Sequence, residues 1–322
     1  MGKDELNKIV FGPVPSRRLG RSLGINNVPP KVCSYSCIYC QVGATSKKLI
    51  TREIYYSPDQ IYDEVKNKVD AVGKKKIDYL TFVSDGEPTL NINLCATIEK
   101  LKQLEIKIAI ISNASLLWRE EIKEAMNKAD FVSLKVDAAD EKTWKMINCP
   151  HRSLNLDVIQ KHVLQFSKNF NGELHTETML VKGVNDNEES LERIAKFISK
   201  IKPKTAHLAI PTRPPLSNKI YPAGSTTLRK AARIFRSHDI KTKYLNNYEG
   251  NDFVSSDNIE QDLLTITAVH PMRKDAVGEL LKNAGKKWNV VNKLIEQNEI
   301  EKKKYNGNIF YRRKFRSNIK EV

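Results

Sequence analysis

The sequence predicts an α/β protein, a partial (βα)6 TIM-like barrel of parallel strands followed by a small C-terminal winged helix-turn-helix domain. Short apolar runs bounded by turn signals alternate with amphipathic stretches over most of the 322 residues. Six consecutive βα units require parallel strands, with helices outside and functional residues at the strands' carboxyl ends. Past Asn247 the alternation stops and short helical segments with a basic hairpin take over. A closed (βα)8 barrel has more units than this, so the barrel is expected to be open.

The strand segments are Leu23 to Val28, Tyr79 to Ser84, Lys107 to Ser112, Phe131 to Asp137, Leu174 to Val181 and Ala206 to Pro211. Between them the helical period predicts helices near 58–72, 91–104, 116–128, 154–169, 187–201 and 225–237. Several carry start signals: Ser57-Pro58 opens the first, Asn91 the second, and Asn187 with Glu188 and Glu189 the fifth.

The polar stretch from Asn247 to Asn258 reads as a boundary. The expected division is a barrel with an N-terminal basic loop over 1–247, a linker over 248–256, a winged-helix domain over 257–316 and a tail over 317–322. Helical segments cover Asn258–Val269, Arg273–Ala284 and Lys287–Gln297, and two strands, Glu299–Lys304 and Ile309–Lys314, flank the hairpin signal Asn306-Gly307. Lys286, Lys287 and Lys293 lie along the third helix, and Lys302, Lys303, Lys304, Arg312, Arg313 and Lys314 along the hairpin. In a winged helix these are the recognition helix and the wing, which contact phosphate; such modules also dock proteins. A net charge of +16 suits a polyanion partner and equally a lysine-rich solvated surface.

No apolar run is long enough to cross a bilayer, so no membrane partner is expected. The opening MGKDELNKIV lacks the apolar core of a signal peptide, so the expected location is the cytoplasm. In that reducing compartment five cysteines, three of them clustered, favour a metal or iron-sulfur cofactor over disulfides. Cys33, Cys37 and Cys40 follow the first strand at the spacing CxxxCxxC, which lets one tight loop hold three irons of a cubane and leaves the fourth open. Cys95 and Cys149 stand alone and read as structural, and no histidine spacing indicates zinc.

This segment, with Tyr39 just before its last cysteine, resembles the cluster loop of the radical S-adenosylmethionine (radical SAM) superfamily. The resemblance spans about residues 20–245. It implies an oxygen-sensitive enzyme with one 4Fe-4S cluster on the three cysteines and S-adenosylmethionine chelated at the open iron. One electron, from a low-potential donor such as flavodoxin or ferredoxin, then yields methionine and a 5′-deoxyadenosyl radical. Ser84-Asp85-Gly86-Glu87-Pro88 resembles the family's GGEP stretch, with Asp85 where glycine is usual, and implies cofactor contacts at Gly86, Glu87 and Pro88. By the same resemblance Ser112, Asn113, Lys135 and Asp137 fall where the cofactor's carboxylate and ribose are held. Glu177, Thr178 and Ile210 fall at substrate- and adenine-facing positions. Read from the residues alone, Ser112-Asn113 also suits a helix cap, and Lys135 with Asp137 a salt-bridged pair.

Two further segments face the expected opening. Arg17, Arg18 and Arg21 precede the first strand and suit an anionic substrate or a solvated basic loop. Pro211-Thr212-Arg213-Pro214-Pro215 suits a rigid connector or a substrate-facing arm. The architecture is most similar to the wyosine-type transfer-RNA modification branch, which implies nucleic-acid modification, although the extra cysteine group of wyosine synthases is missing. Asp137 to Pro150 is similar to the activases of glycyl-radical enzymes, which act on protein backbone. A reading from another class is an iron-sulfur redox-sensing DNA-binding regulator, but a sensor has no need of a cofactor pocket.

Overall fold

Each apolar run of the expected barrel becomes a parallel strand, and the sheet extends by one strand at either edge. The computed structural model describes residues 9–83, 85–215, 217, 219–246, 249–255 and 258–314. The strands are β1 (Val10–Ser16), β2 (Gly20–Ile25), β3 (Val32–Cys33), β4 (Lys47–Lys48), β5 (Tyr79–Phe82), β6 (Lys107–Ser112), β7 (Phe131–Lys135), β8 (Glu173–Met179), β9 (Thr205–Ala209) and β10 (Thr242–Leu245). Interleaved with them are α1 (Pro58–Val72), α2 (Leu94–Leu101), α3 (Glu120–Asn127), α4 (Glu141–Asn148), α5 (Leu156–Asn169), α6 (Glu188–Ile201) and α7 (Ser225–Ser237). Among the described residues the main sheet has eight strands in the order β1-β2-β5-β6-β7-β8-β9-β10. All its pairings are parallel except β1 with β2.

Burial explains why these runs become strands. Val132 and Leu134 of β7, Ile108 and Ile110 of β6 and Leu208 of β9 are fully enclosed, as a parallel sheet covered by helices requires. The helices start where their caps allow. Ser57, Asn155 and Asn187 each accept a bond from the backbone N–H three residues on. The segment expected to be helical from 116 begins at Glu120, after a turn through buried Leu116 and Leu117. Helix α4 was not expected. Asp140 caps it, accepting from Thr143 N at 2.9 Å, and its C-terminus reaches the cysteine loop.

The remaining elements are α8 (Ile259–Val269), β11 (Met272–Arg273), α9 (Lys274–Asn283), α10 (Asn289–Glu296), β12 (Ile300–Tyr305) and β13 (Asn308–Arg313). They form three helices and an antiparallel sheet ordered β11-β13-β12. Asn306 and Gly307 both take positive φ, 45° and 77°, as the tight turn between β12 and β13 demands. The core of this unit includes Phe11 and Val14 of β1, so the first strand belongs to both cores. Lys68 of α1 and Asp262 of α8 form a partly buried ion pair at 2.7 Å across the same junction. Residues 315–322, with the expected tail, and the 247–248 and 256–257 positions of the expected boundary lie outside the described residues.

Candidate active site

The cysteine loop leaves β3 and is held by segments remote in sequence. Ser36 N and Ile38 N bond to the carbonyls of Asn148 and Ile147 at 3.0 Å, and His151 N bonds to Ser34 O at 2.8 Å. The C-terminus of α4 therefore braces the loop, with Cys149 capping the helix in the left-handed region at φ 42°. On the other side Glu87 N donates to Val32 O at 2.9 Å, and Lys31 N to Asp85 O at 3.0 Å. A Cβ at Gly86 would stand 2.1 Å from Val32 O, so only glycine permits this approach.

Three cysteine thiols share the loop, partly buried and free of disulfides. Cys40 N closes a turn on Cys37 O at 3.0 Å. Asn113 Nδ2 points at Cys33 Sγ from 3.6 Å, and Asn148 Nδ2 donates to Cys37 Sγ at 3.4 Å. Burial drives the Cys33 thiol well above its ordinary value and pushes Cys37 up to about 12, so both are thiols until a metal displaces the proton.

Most of the residues picked out from the sequence meet in one network. Glu87 is 2 % exposed and accepts from Thr89 N, Thr89 Oγ1, Ser112 Oγ and Asn113 N at 2.7 to 3.2 Å. Burial raises its pKa while these bonds oppose the rise. Pro88 opens a buried turn, its carbonyl accepting from Asn27 Nδ2 at 2.8 Å. Asp137 accepts from Tyr39 Oη, from Asn148 Nδ2 at 2.8 Å and from Met179 N at 2.8 Å. Ile210 lies one residue beyond β9 and packs on the main core. Ser84 lies outside the described residues.

Two expectations change. Lys135 does not pair with Asp137: its Nζ lies 2.5 Å from Glu177 Oε1, and Glu177 also binds Arg18. The chain leaves the strand after Lys135, which lets Asp137 turn to the loop and to Met179. The Pro211-to-Pro215 segment is a tie as well as a connector. Arg213 donates to Gln41 Oε1 at 2.9 Å and pairs with Glu249, which in turn meets His270 Nε2 at 2.6 Å.

Composition missed Asn148, Glu249 and His270, because nothing local marks them. The only available signal was Asn148 at the end of the segment Asp137 to Pro150, whose overall pattern stood out.

Among the described residues no three ligating side chains converge on a single-ion position. A cluster makes a different demand, because each thiolate binds its own iron and the sulfurs stand apart around it. The donor set fits that demand, with three free thiols, amide donors aimed at two of them, and neighbouring Asp85 Oδ1 buried without a hydrogen-bond partner.

The profile of the Radical SAM superfamily matches residues 27–198, which include the cysteine loop and the strands that support it. The chain belongs to the radical SAM superfamily. That makes it an enzyme of a superfamily that implies S-adenosylmethionine and an iron-sulfur cluster. A relative in Methanocaldococcus jannaschii, the UPF0026 protein MJ1312, is 45 % identical over 316 residues, 98 % of each chain. Among solved structures, a radical SAM methyltransferase from Sphaerobacter thermophilus has a TM-score of 0.53 at 12 % identity, covering 70 % of this chain and 66 % of that one. TYW1 with a lysine-pyruvate adduct bound has a TM-score of 0.52 at 16 % identity, covering 67 % and 73 %. These two likenesses establish the radical SAM fold, with its partial barrel. No helix among the described residues is long and apolar enough to cross a membrane.

Proposed function

We propose that this radical SAM enzyme holds a 4Fe-4S cluster on Cys33, Cys37 and Cys40 and cleaves S-adenosylmethionine reductively to modify a nucleic acid, with transfer RNA the first candidate. The observation that carries the reading is the cysteine loop itself, seated at the carboxyl ends of parallel strands with amide donors on two of its sulfurs. Cluster and S-adenosylmethionine together supply one-electron cleavage of the sulfonium C–S bond to methionine and a 5′-deoxyadenosyl radical. The chain's own residues bind and orient. Asn113 and Asn148 stabilise thiolate charge on Cys33 and Cys37. Gly86 to Pro88 offers backbone at the mouth for the cofactor's amino group, and Glu87 locks that segment to Ser112 and Asn113. Lys135 and Asp137 stand beside Tyr39 for the carboxylate and ribose, and Ile210 provides an apolar face for adenine.

For the substrate, the C-terminal elements act as a winged-helix domain within the 257–316 division, with α10 as recognition helix and β12 to β13 as wing. The wing lies against the barrel's open end: Tyr305 Oη donates to Pro211 O at 3.1 Å, and Lys302, Lys303 and Lys304 are exposed beside it. A polyanion on those lysines would reach the mouth, where a cytoplasmic flavodoxin or ferredoxin would deliver the electron.

The test is anaerobic. The chain is reconstituted with iron and sulfide, reduced, and given S-adenosylmethionine with and without transfer RNA; 5′-deoxyadenosine is then quantified beside a Cys37→Ala variant. Release by the parent and none by the variant supports the reaction, and a modified nucleoside in the RNA supports the substrate. A fully loaded cluster that releases nothing sinks the reading.

A further inference from the structure

The open side of the half-barrel is closed by a seam of arginines. The hairpin between β1 and β2 reaches from one edge of the sheet to the other, where Arg17 donates to the carbonyl of Leu245, the last residue of β10. Beside it Arg18 enters the lumen to Glu177, and Arg213 joins Gln41, Glu249 and His270. Inside this seam lies a cavity of about 140 Å³, lined by all three arginines and by Glu249.

Charge and size decide what the cavity suits. Its wall carries three guanidinium groups and one carboxylate, and Glu177, which takes up Arg18 from behind, is already shared with Lys135. The side chains of Arg18 and Arg213 are only 14 % and 10 % exposed, so water does little to spread this positive charge. Burial first, then the neighbouring Arg213, pull the Arg17 guanidinium down to about 10, against the opposing pull of Glu249 and Glu177. Among the described residues lining this open space, guanidinium groups therefore outnumber carboxylates. A cavity of roughly 150 Å³ takes a benzene-sized molecule. The lining also includes the mutually hydrogen-bonded hydroxyls of Ser22 and Thr81 and the apolar Phe11, Val14 and Val83, so a ligand with an acidic head and a short carbon body fits.

We infer that this cavity binds a small oxyanion, a carboxylate or a phosphate, in the fork of Arg17, Arg18 and Arg213. Guanidinium groups bind both head groups through paired N–H donors, which a neutral or cationic ligand does not satisfy. Gln41, which accepts from Arg213, follows Cys40 directly, so the ligand would lie next to the cysteine loop. The inference depends on the proposed reaction only in calling this ligand a substrate or co-substrate.

Binding is measured by titration calorimetry on the full chain before cluster reconstitution, with inorganic phosphate and, separately, oxalate. The variants are Arg17→Gln, which removes one guanidinium, and Val83→Phe, which fills the space. Both are compared with the parent in thermal midpoint to establish that they fold. The expected result is saturable binding of one probe by the parent, about tenfold weaker in Arg17→Gln and abolished in Val83→Phe. Phosphate alone identifies a phosphate monoester, and oxalate alone a carboxylic acid. Absence of saturable binding of either probe to the parent, or equal binding to folded variants, overturns the inference. Neither result depends on 5′-deoxyadenosine release, so failure of the cavity and failure of the radical reaction are separate outcomes.

Discussion

The side-chain amide of Asn148 divides its two N–H donors between Asp137 Oδ2, at 2.8 Å, and Cys37 Sγ, at 3.4 Å. It ties the end of α4 to the sulfur and to the network at the ends of β7 and β8. Hydrogen bonds to ligand sulfur tune a cluster's potential, and supporting residues outside the ligand set typically matter about 10–100-fold in affinity or activity. Asn148→Ala should lower iron retention and 5′-deoxyadenosine formation by that order and make the cluster harder to reduce. Iron content and a redox titration check both, and an unchanged potential would remove Asn148 from this role.

Gly86 places its missing Cβ 2.1 Å from the Val32 carbonyl. That carbonyl is backbone and has no rotamer to yield, so Gly86→Ala must displace β3 or the Asp85 to Glu87 segment. The expected cost is about 1–3 kcal/mol of stability. Because β3 ends at Cys33, iron content after reconstitution should fall too. Urea midpoints and iron analysis on one preparation separate a global effect from a local one.

Glu177 stands between Arg18 and Lys135 with its side chain 7 % exposed. Burial alone would raise its pKa, but the two cations outweigh burial and hold the carboxyl far below the usual range. Glu177→Ala leaves two buried cations facing each other and should cost about 3–5 kcal/mol. Adding Lys135→Met should recover part of that loss. A double-mutant cycle from urea unfolding reads the coupling, and strict additivity would argue against a shared network.

The parallel strands were legible because each buries a continuous apolar run, and the hairpin of β12 and β13 because Asn306-Gly307 fits one kind of turn. The thiol spacing was equally plain. What stayed hidden was pairing across distance. Arg18 meets Glu177 across 159 residues, and Asn148 meets Cys37 across 111, and no local pattern encodes either. Strand β1 escaped because its two prolines and turn-like ends look like loop, yet its Phe11 and Val14 serve the C-terminal core. Lys135 and Asp137 lie two residues apart and looked like partners, but the strand ends between them.

His270 is buried against Glu249, Arg213 and Phe253, with Arg17 also near, and burial lowers its pKa from the ordinary 6.5 to about 4. The unfolded chain therefore binds a proton near pH 6.5 that the folded chain refuses until about pH 4. Stability from this site is full above that window and is lost as pH falls through it, with a slope of up to ~1.4 kcal/mol per pH unit. Urea unfolding at pH 7 and pH 5 should show the loss in the parent and a smaller loss in His270→Gln. An identical pH dependence in the variant would assign the effect to other groups.

Lys302, Lys303 and Lys304 are exposed on β12, next to the Tyr305 contact with Pro211. Among the described residues, Lys303 forms a long ion pair with Glu301, at 3.8 Å. If these lysines hold phosphates, replacing all three with glutamate should weaken transfer-RNA binding. It should also reduce the slope of log affinity against log salt by about 2–3, near the counterion release expected for three contacts. Uncoupled 5′-deoxyadenosine formation should persist in the variant, because the substitutions lie outside the cysteine loop. Filter binding at several salt concentrations gives the slope. An unchanged slope with a folded variant would count against phosphate contact at these lysines, leaving α10 and the hairpin arginines as the surfaces to test.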